Sequence, residues 1–290
     1  MYDNVFVSCF GSNLYNTIGF LESLKEETRD TVIWNSVGNA SLIIFLKING
    51  FQFHQMVQQL KDLNLAHTFM NSFSLIPENE HEKKEYIRDW IVRKINQVSL
   101  ISTDTTLKEI FSLTNLFPNF LVYSRTDREI TSLNPSVTPN INLVDCLLAS
   151  LTGVGTFQNH KIDDKIYSNL NSIDSFPIDK IFTIKKEIKP LFLGNVSFFV
   201  EPLEEYQYSP MSRNEDEILE QFLERNSYLL KNIRQEEGKV IIYSDIFKEV
   251  DVIKMDNLYK SGFLQGKNFI SGQDTYSVFM DQKDTIYNQD

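Results

Sequence analysis

Two short apolar runs near the start of the chain each lead through a polar turn holding a glycine into a helical pattern. The first, Val5-Phe-Val-Ser8, is followed by Gly11-Ser-Asn13. Ile18, Leu21 and Leu24 then recur at helical spacing, with Glu22, Lys25, Glu26 and Glu27 on the polar side. The second, Thr31-Val-Ile-Trp34, is followed by a turn with Gly38 and by residues 42–48, which are apolar on nearly every side. Short β-branched and aromatic runs suit strands, and three- to four-residue spacing suits a helix. A helix apolar all round must be covered on most of its surface. Two successive strand–turn–helix units therefore predict an α/β fold, with a mostly parallel central sheet covered by helices on both faces.

The rest of the chain extends this pattern. Helices are expected over 53–63, 86–97, 107–113 and 143–150, with Thr105 or Thr106 as the N-cap of the third and Gly50 ending the 42–48 helix. Strands are expected over 119–123, with 130–133 beside it, and over 192–200 and 240–243, and Lys161-Ile-Asp-Asp-Lys165 reads as a hairpin turn. The charged stretch 77–84 reads as exposed. Residues 215–230 form a strongly amphipathic acidic pattern and 255–262 a short helix, while 273–290 lack periodicity and read as a mobile tail. No repeat or sharp compositional break appears. The organisation expected is an α/β core over 1–200, a helical and strand extension packed on it over 201–272, and the tail 273–290.

Composition removes several function classes. The formal net charge of the 290 residues is −11, and long-range repulsion works against nucleic acid or an anionic membrane surface. The densest basic run, 180–189, is short and carries its own Glu187. Cys9 and Cys146 lie far apart without CxxC partners, and His54, His67, His81 and His160 lack metal-ligand spacing. No metal and no cofactor is expected; the cysteines read as buried apolar side chains, and His54 and His160 as surface histidines rather than bases. No apolar run approaches the length of a membrane span and no secretory signal is visible, so the expected location is intracellular and soluble.

Three segments, in order, carry a resemblance. The first is MYDNVFVSCFGSNLYNTIGFLESLKEE, the second VIWNSVGNASLIIFLKINGF, and the third NPSVTPNINLVDCLLASLTGVGTFQNHKIDDKIYSNLNSIDSFPI from Asn134. Together they resemble the patatin-like phospholipases, with the nearest likeness to those of large DNA viruses, over roughly the first 200 residues. TDTTLKEIFSLT, at 103–114, resembles the family's helix before its central strand. The resemblance implies a strand, a Gly-rich turn and a helix containing Gly19-Phe20-Leu21; then a strand, a nucleophile elbow and a buried helix; then the segment that supplies the aspartate of a Ser–Asp dyad.

The chemistry implied needs a serine at a tight strand–helix turn, an aspartate to activate it, and bare backbone N–H groups for the oxyanion. Aligning from Gly19 backwards leaves Gly11, Ser12 and Asn13 as the remnant of the oxyanion loop, with Asn13 where a basic residue stands and the side chains of Phe10 and Leu14 crowding it. Aligning from Pro177 backwards puts Asn169 at the dyad aspartate, and an amide accepts no proton at neutral pH. Counting back from Gly50 puts Gly38 at the nucleophile. A second register makes Ser36 the nucleophile, with Asp174 or the Asp163/Asp164 pair as its activator, and sets Trp34 where a glycine is needed. The resemblance therefore implies a site degraded in all three parts, and a protein kept for binding or assembly. A protein partner or self-assembly fits that role, including a place in a viral particle; a retained acyl channel that holds lipid, or a hydrolase using Ser36, are the alternatives.

Overall fold

The computed structural model describes residues 1–9, 11–63, 80–98, 100–152, 157, 159–170, 177, 180, 190–199, 239–246 and 251–286. The chain divides into two compact units of interleaved segments. One comprises 1–8, 28–52 and 77–191, the other 9–27, 53–76 and 192–290.

The first unit holds strands β1 (Asn4–Cys9, its last residue in the second unit), β2 (Ile33–Gly38), β3 (Phe117–Ser124), β4 (Glu129–Leu133), β5 (His160–Ile162) and β6 (Lys165–Asn169). They lie in the order β5-β6-β3-β2-β1, with β4 also on β3. β2 and β3 run parallel, Ile33 opposite Phe117, while β4 and β6 pair β3 antiparallel and β5 closes a hairpin on β6. Every residue of β2 is buried, as a parallel strand covered on both faces requires. Two polar residues inside these strands are reconciled by register. Asn35 faces Asn119, and a chain of side-chain amides runs Asn134 to Asn119 (3.0 Å), Asn119 to Asn35 (2.6 Å) and Asn35 to Asn4 (2.7 Å), each donating through Nδ2.

Among its described residues this unit also holds four α-helices. α2 (Ser41–Ile48) is buried along nearly its whole length, matching its all-round apolar sequence. Gly50 follows its end at φ +81°, and its N–H bonds the Lys47 carbonyl. α4 (Glu80–Asn96) buries Ile87, Trp90, Ile91 and Ile95, one helical stripe, and Trp90 meets Phe45 of α2 at 5.8 Å between ring centroids. It begins inside the charged stretch 77–84, ahead of the helix expected from 86, with His81 and Glu82 exposed. α5 (Leu107–Thr114) opens on a full capping box: Thr106 Oγ1 accepts from the Glu109 N–H, and Glu109 accepts from the Thr106 N–H. α6 (Leu143–Leu151) is capped by Asn142, whose side chain accepts from the Asp145 N–H.

The second unit contains α1 (Asn13–Ser23), α3 (Phe53–Lys61), β7 (Pro190–Phe199, its first two residues in the first unit), β8 (Lys239–Ile246), α7 (Val252–Ile270) and α8 (Thr275–Ile286). β7 and β8 run parallel. α1 and α7 pack with backbones in direct contact: a Cβ on Gly19 would lie 1.9 Å from the Tyr259 carbonyl oxygen, and one on Gly262 would lie 1.8 Å from that of Asn16. Gly19 is thus a packing residue. β8 ends the strand order, and side chains close its outer edge. Gln265 accepts from the Tyr243 N–H at 2.9 Å and donates to the Tyr243 carbonyl at 2.7 Å, while Thr275 donates to the Ile241 carbonyl at 2.7 Å. α7 extends well beyond the short helix expected at 255–262. The stretch 275–286, without periodicity in sequence, is a helix because its first turn is held by Asp274, which accepts from Ser277, and because Val278 and Phe279 are buried. The amphipathic stretch 215–230 lies outside the described residues.

Candidate functional site

The first unit places the two expected dyad positions at one level of its sheet. β2 runs to Gly38, which stands at φ +62° before the chain turns through Asn39 and Ala40 into α2. Such a conformation is open to glycine and strained for other residues, and here it turns the chain from a strand into a helix. Gly38 follows Val37, which faces Leu121 of β3, and Asn169 on the far side of β3 faces Val122. Two strand spacings separate the two positions, about 10 Å between backbones. The Asn169 N–H bonds Thr152 Oγ1 at 2.5 Å.

No hydroxyl stands at the elbow itself. Ser36 lies two residues back inside β2, fully buried, with its Oγ 3.4 Å from that of Ser41, which in turn donates to the Gly38 carbonyl at 2.6 Å. Its strand partner is Phe120. Asp163, at φ +51° in the exposed β5–β6 turn, lies beyond the other end of β6, so the register sets it roughly 20 Å from Ser36 along the strands. Asp164 is in the same exposed turn, and Asp174 lies outside the described residues. Asn39, just past the elbow, is buried with its Nδ2 unpartnered among the described residues.

Gly11, Ser12 and Asn13 belong to the second unit. Gly11 has φ +53°, Ser12 is buried with its Oγ unpartnered among the described residues, and Asn13 accepts from Ser244 Oγ at 2.5 Å. The Asn13 side chain is therefore engaged by a strand of its own unit. Phe10 lies outside the described residues.

One constellation was not legible beforehand. His160 is not a surface residue: at 5% exposure it is buried at the start of β5, and its Nε2 lies 2.8 Å from Asp145 Oδ1. Asp145 also accepts from Asn142 Nδ2 at 2.8 Å. The hydrogen bond from His160 holds the Asp145 carboxyl below the usual carboxylate range, against the opposing effect of burial. The residues are 15 apart in sequence with no motif spacing, and only α6 and the β5–β6 hairpin bring them together. His54, by contrast, is exposed, with its ring 3.7 Å from Glu22.

The mixed α/β architecture, a large sheet with helices packed on it, is that of a patatin-like sandwich. Two solved structures share that fold with this chain. VipD from Legionella pneumophila matches at a TM-score of 0.57 and 10% identity, over 93% of this chain and 67% of VipD. A chain of the heterodimeric ExoU–SpcU complex from the type III secretion system of Pseudomonas aeruginosa matches at 0.52 and 12% identity, over 93% of this chain and 51% of that one. No protein-family model and no curated protein matches the sequence. Among the described residues no helix is long and apolar enough to cross a membrane.

Proposed function

We propose that this protein is a patatin-like scaffold that has lost Ser–Asp lipid acyl hydrolase chemistry and serves in binding or assembly. The observation that supports this reading is the turn after β2: counted back from Gly50 the nucleophile's place falls on Gly38, which stands at φ +62° between a strand and a helix and brings no oxygen to attack an ester. Asn169, level with it across β3, has no carboxylate to take a proton. A hydrolase built on Ser36 would need an activator other than Asp163, because the register separates the two, and a route for substrate to a hydroxyl sealed inside β2. A protein partner or a second copy of the chain is the occupant favoured, a virion component included. The ExoU–SpcU heterodimer is a precedent for a chain of this fold held by another protein.

The test is hydrolysis of nitrophenyl butyrate and of phosphatidylcholine vesicles by the wild type, Ser36→Ala and Asn169→Asp. The expected result is no turnover above the blank in any of the three. Wild-type turnover that disappears in Ser36→Ala would overturn the reading in favour of a working hydrolase. Lipid extracted from the purified protein, without turnover, would identify the acyl chain as the bound partner.

A further inference from the structure

The dipeptide Asn–Gly occurs once in the chain, at Asn49–Gly50, where α2 ends. A glycine after asparagine leaves its backbone nitrogen unshielded by any side chain, so that nitrogen can attack the asparagine side-chain carbonyl carbon and expel ammonia. We propose that Asn49 is a deamidation site gated by the last turn of α2, and that conversion leaves this turn unable to close again. The site is separate from the turn at Gly38, and the proposal does not depend on whether ester hydrolysis survives.

The folded chain holds both reacting groups back. In the reaction the Gly50 nitrogen gives up its proton and bonds to Asn49 Cγ, closing a succinimide ring; the Cγ–Nδ2 bond breaks and ammonia leaves with that proton. Water then opens the ring to aspartate or isoaspartate, with no oxidant or reductant taking part. In the structure the Gly50 N–H donates to the Lys47 carbonyl at 2.9 Å, and the Phe51 N–H donates to the Leu46 carbonyl at 3.0 Å. These are the paired bonds of a Schellman helix end, so the attacking nitrogen is engaged. The leaving amide is engaged as well: Asn49 Nδ2 donates to the Phe45 carbonyl at 2.8 Å, and the residue is 4% exposed. Ring closure also needs Asn49 Cβ, Cα and C and the Gly50 nitrogen close to one plane, which the Asn49 ψ of 7° does not provide. The Gly50 and Asn49 bonds must open together, and at ordinary hydrogen-bond strength that slows the reaction about tenfold or more.

The product does not fit the place it came from. An ionised aspartate at position 49 sets a carboxylate oxygen where the amide donated, so that acceptor faces acceptor at the Phe45 carbonyl. It also buries a negative charge at the C-terminal end of α2, where the helix's own carbonyls already concentrate negative charge. Isoaspartate lengthens the backbone by one methylene and removes the spacing that the Schellman bonds require. The turn has room to stay open, because open space lies beside Gly50. A transient opening of the turn is thereby made permanent.

The test incubates the full chain in mildly alkaline buffer, folded and unfolded in urea, and follows conversion of Asn49 by peptide mapping with mass spectrometry. Conversion is expected in the unfolded chain, and about tenfold or more slowly in the folded one. The slowing should match that of hydrogen exchange at the Gly50 amide, read by NMR on the same protein, since both need the same opening. Asn49→Asp, the product made directly, should melt about 2 °C or more below wild type. The proposal is overturned by conversion as fast in the folded chain as in the unfolded one, or by no conversion of Asn49 even when unfolded. A Gly50 amide that exchanges freely while Asn49 stays intact removes the gate, and an Asn49→Asp variant that melts with wild type removes the block to closure.

Discussion

At the scale of single residues, the first unit is held by buried side chains whose hydrogen-bonding groups are matched by one another. Asn119 donates to Asn35 and accepts from Asn134, all three fully buried. Replacing it with alanine removes two bonds at once and strands amide groups inside the sheet. Asn119→Ala is expected to destabilise the protein by roughly 2–4 kcal/mol in urea unfolding; a loss under about 1 kcal/mol would mean that water takes over the bonds. Asp145 makes a pH-dependent contribution whose sign follows from the lowered pKa of its carboxyl. A group whose folded pKa is depressed stabilises fully above its unfolded value, about 3.9 for aspartate, and loses that contribution as pH falls through the folded value. The stability difference between wild type and Asp145→Asn should thus be level at and just above pH ~5 and shrink toward pH ~3. A difference that holds constant across that window would remove the His160 bond as its source.

At the scale of elements, two glycines of similar appearance in the sequence have opposite reasons to be there. Gly50 has φ +81° and open space where a Cβ would be, so Gly50→Ala meets backbone strain alone, about 1–2 kcal/mol. Gly19 is an ordinary helical residue whose absent Cβ lets α7 approach until a carbonyl oxygen occupies its place. Gly19→Ala has to push two helices apart, and at ~3 kcal/mol or more it should be the costlier substitution. Melting temperatures of the two variants compared with wild type check the order, and the reverse order would mean that α1 and α7 yield easily. Neither the register that sets Gly38 and Asn169 on either side of Val122 nor the sealing of β8 by Gln265 and Thr275 has any local signature. Both are relations between segments distant in sequence.

At the scale of the whole molecule, a formal net charge of −11 works against any polyanion, and a 30-base-pair duplex is expected to show no retention at ~0.1 M salt; binding there would reveal a basic patch strong enough to override the total. The α/β class, the order of most elements and the strand–turn–helix at Gly38 were legible in the amino-acid sequence. They rest on local patterns: apolar runs of strand length and helical spacing. The Thr106 cap was legible for the same reason, since its partner Glu109 is three residues away. The tertiary structure decided what depends on contacts across the chain. It buried His160 against Asp145, made Gly19 a point of helix contact, turned an aperiodic tail into α8, and placed Ser36 inside a strand with its hydroxyl beside that of Ser41. The physical reason is range: periodicity and capping act over one or two turns, whereas burial and hydrogen-bond partnership are settled only when distant segments meet.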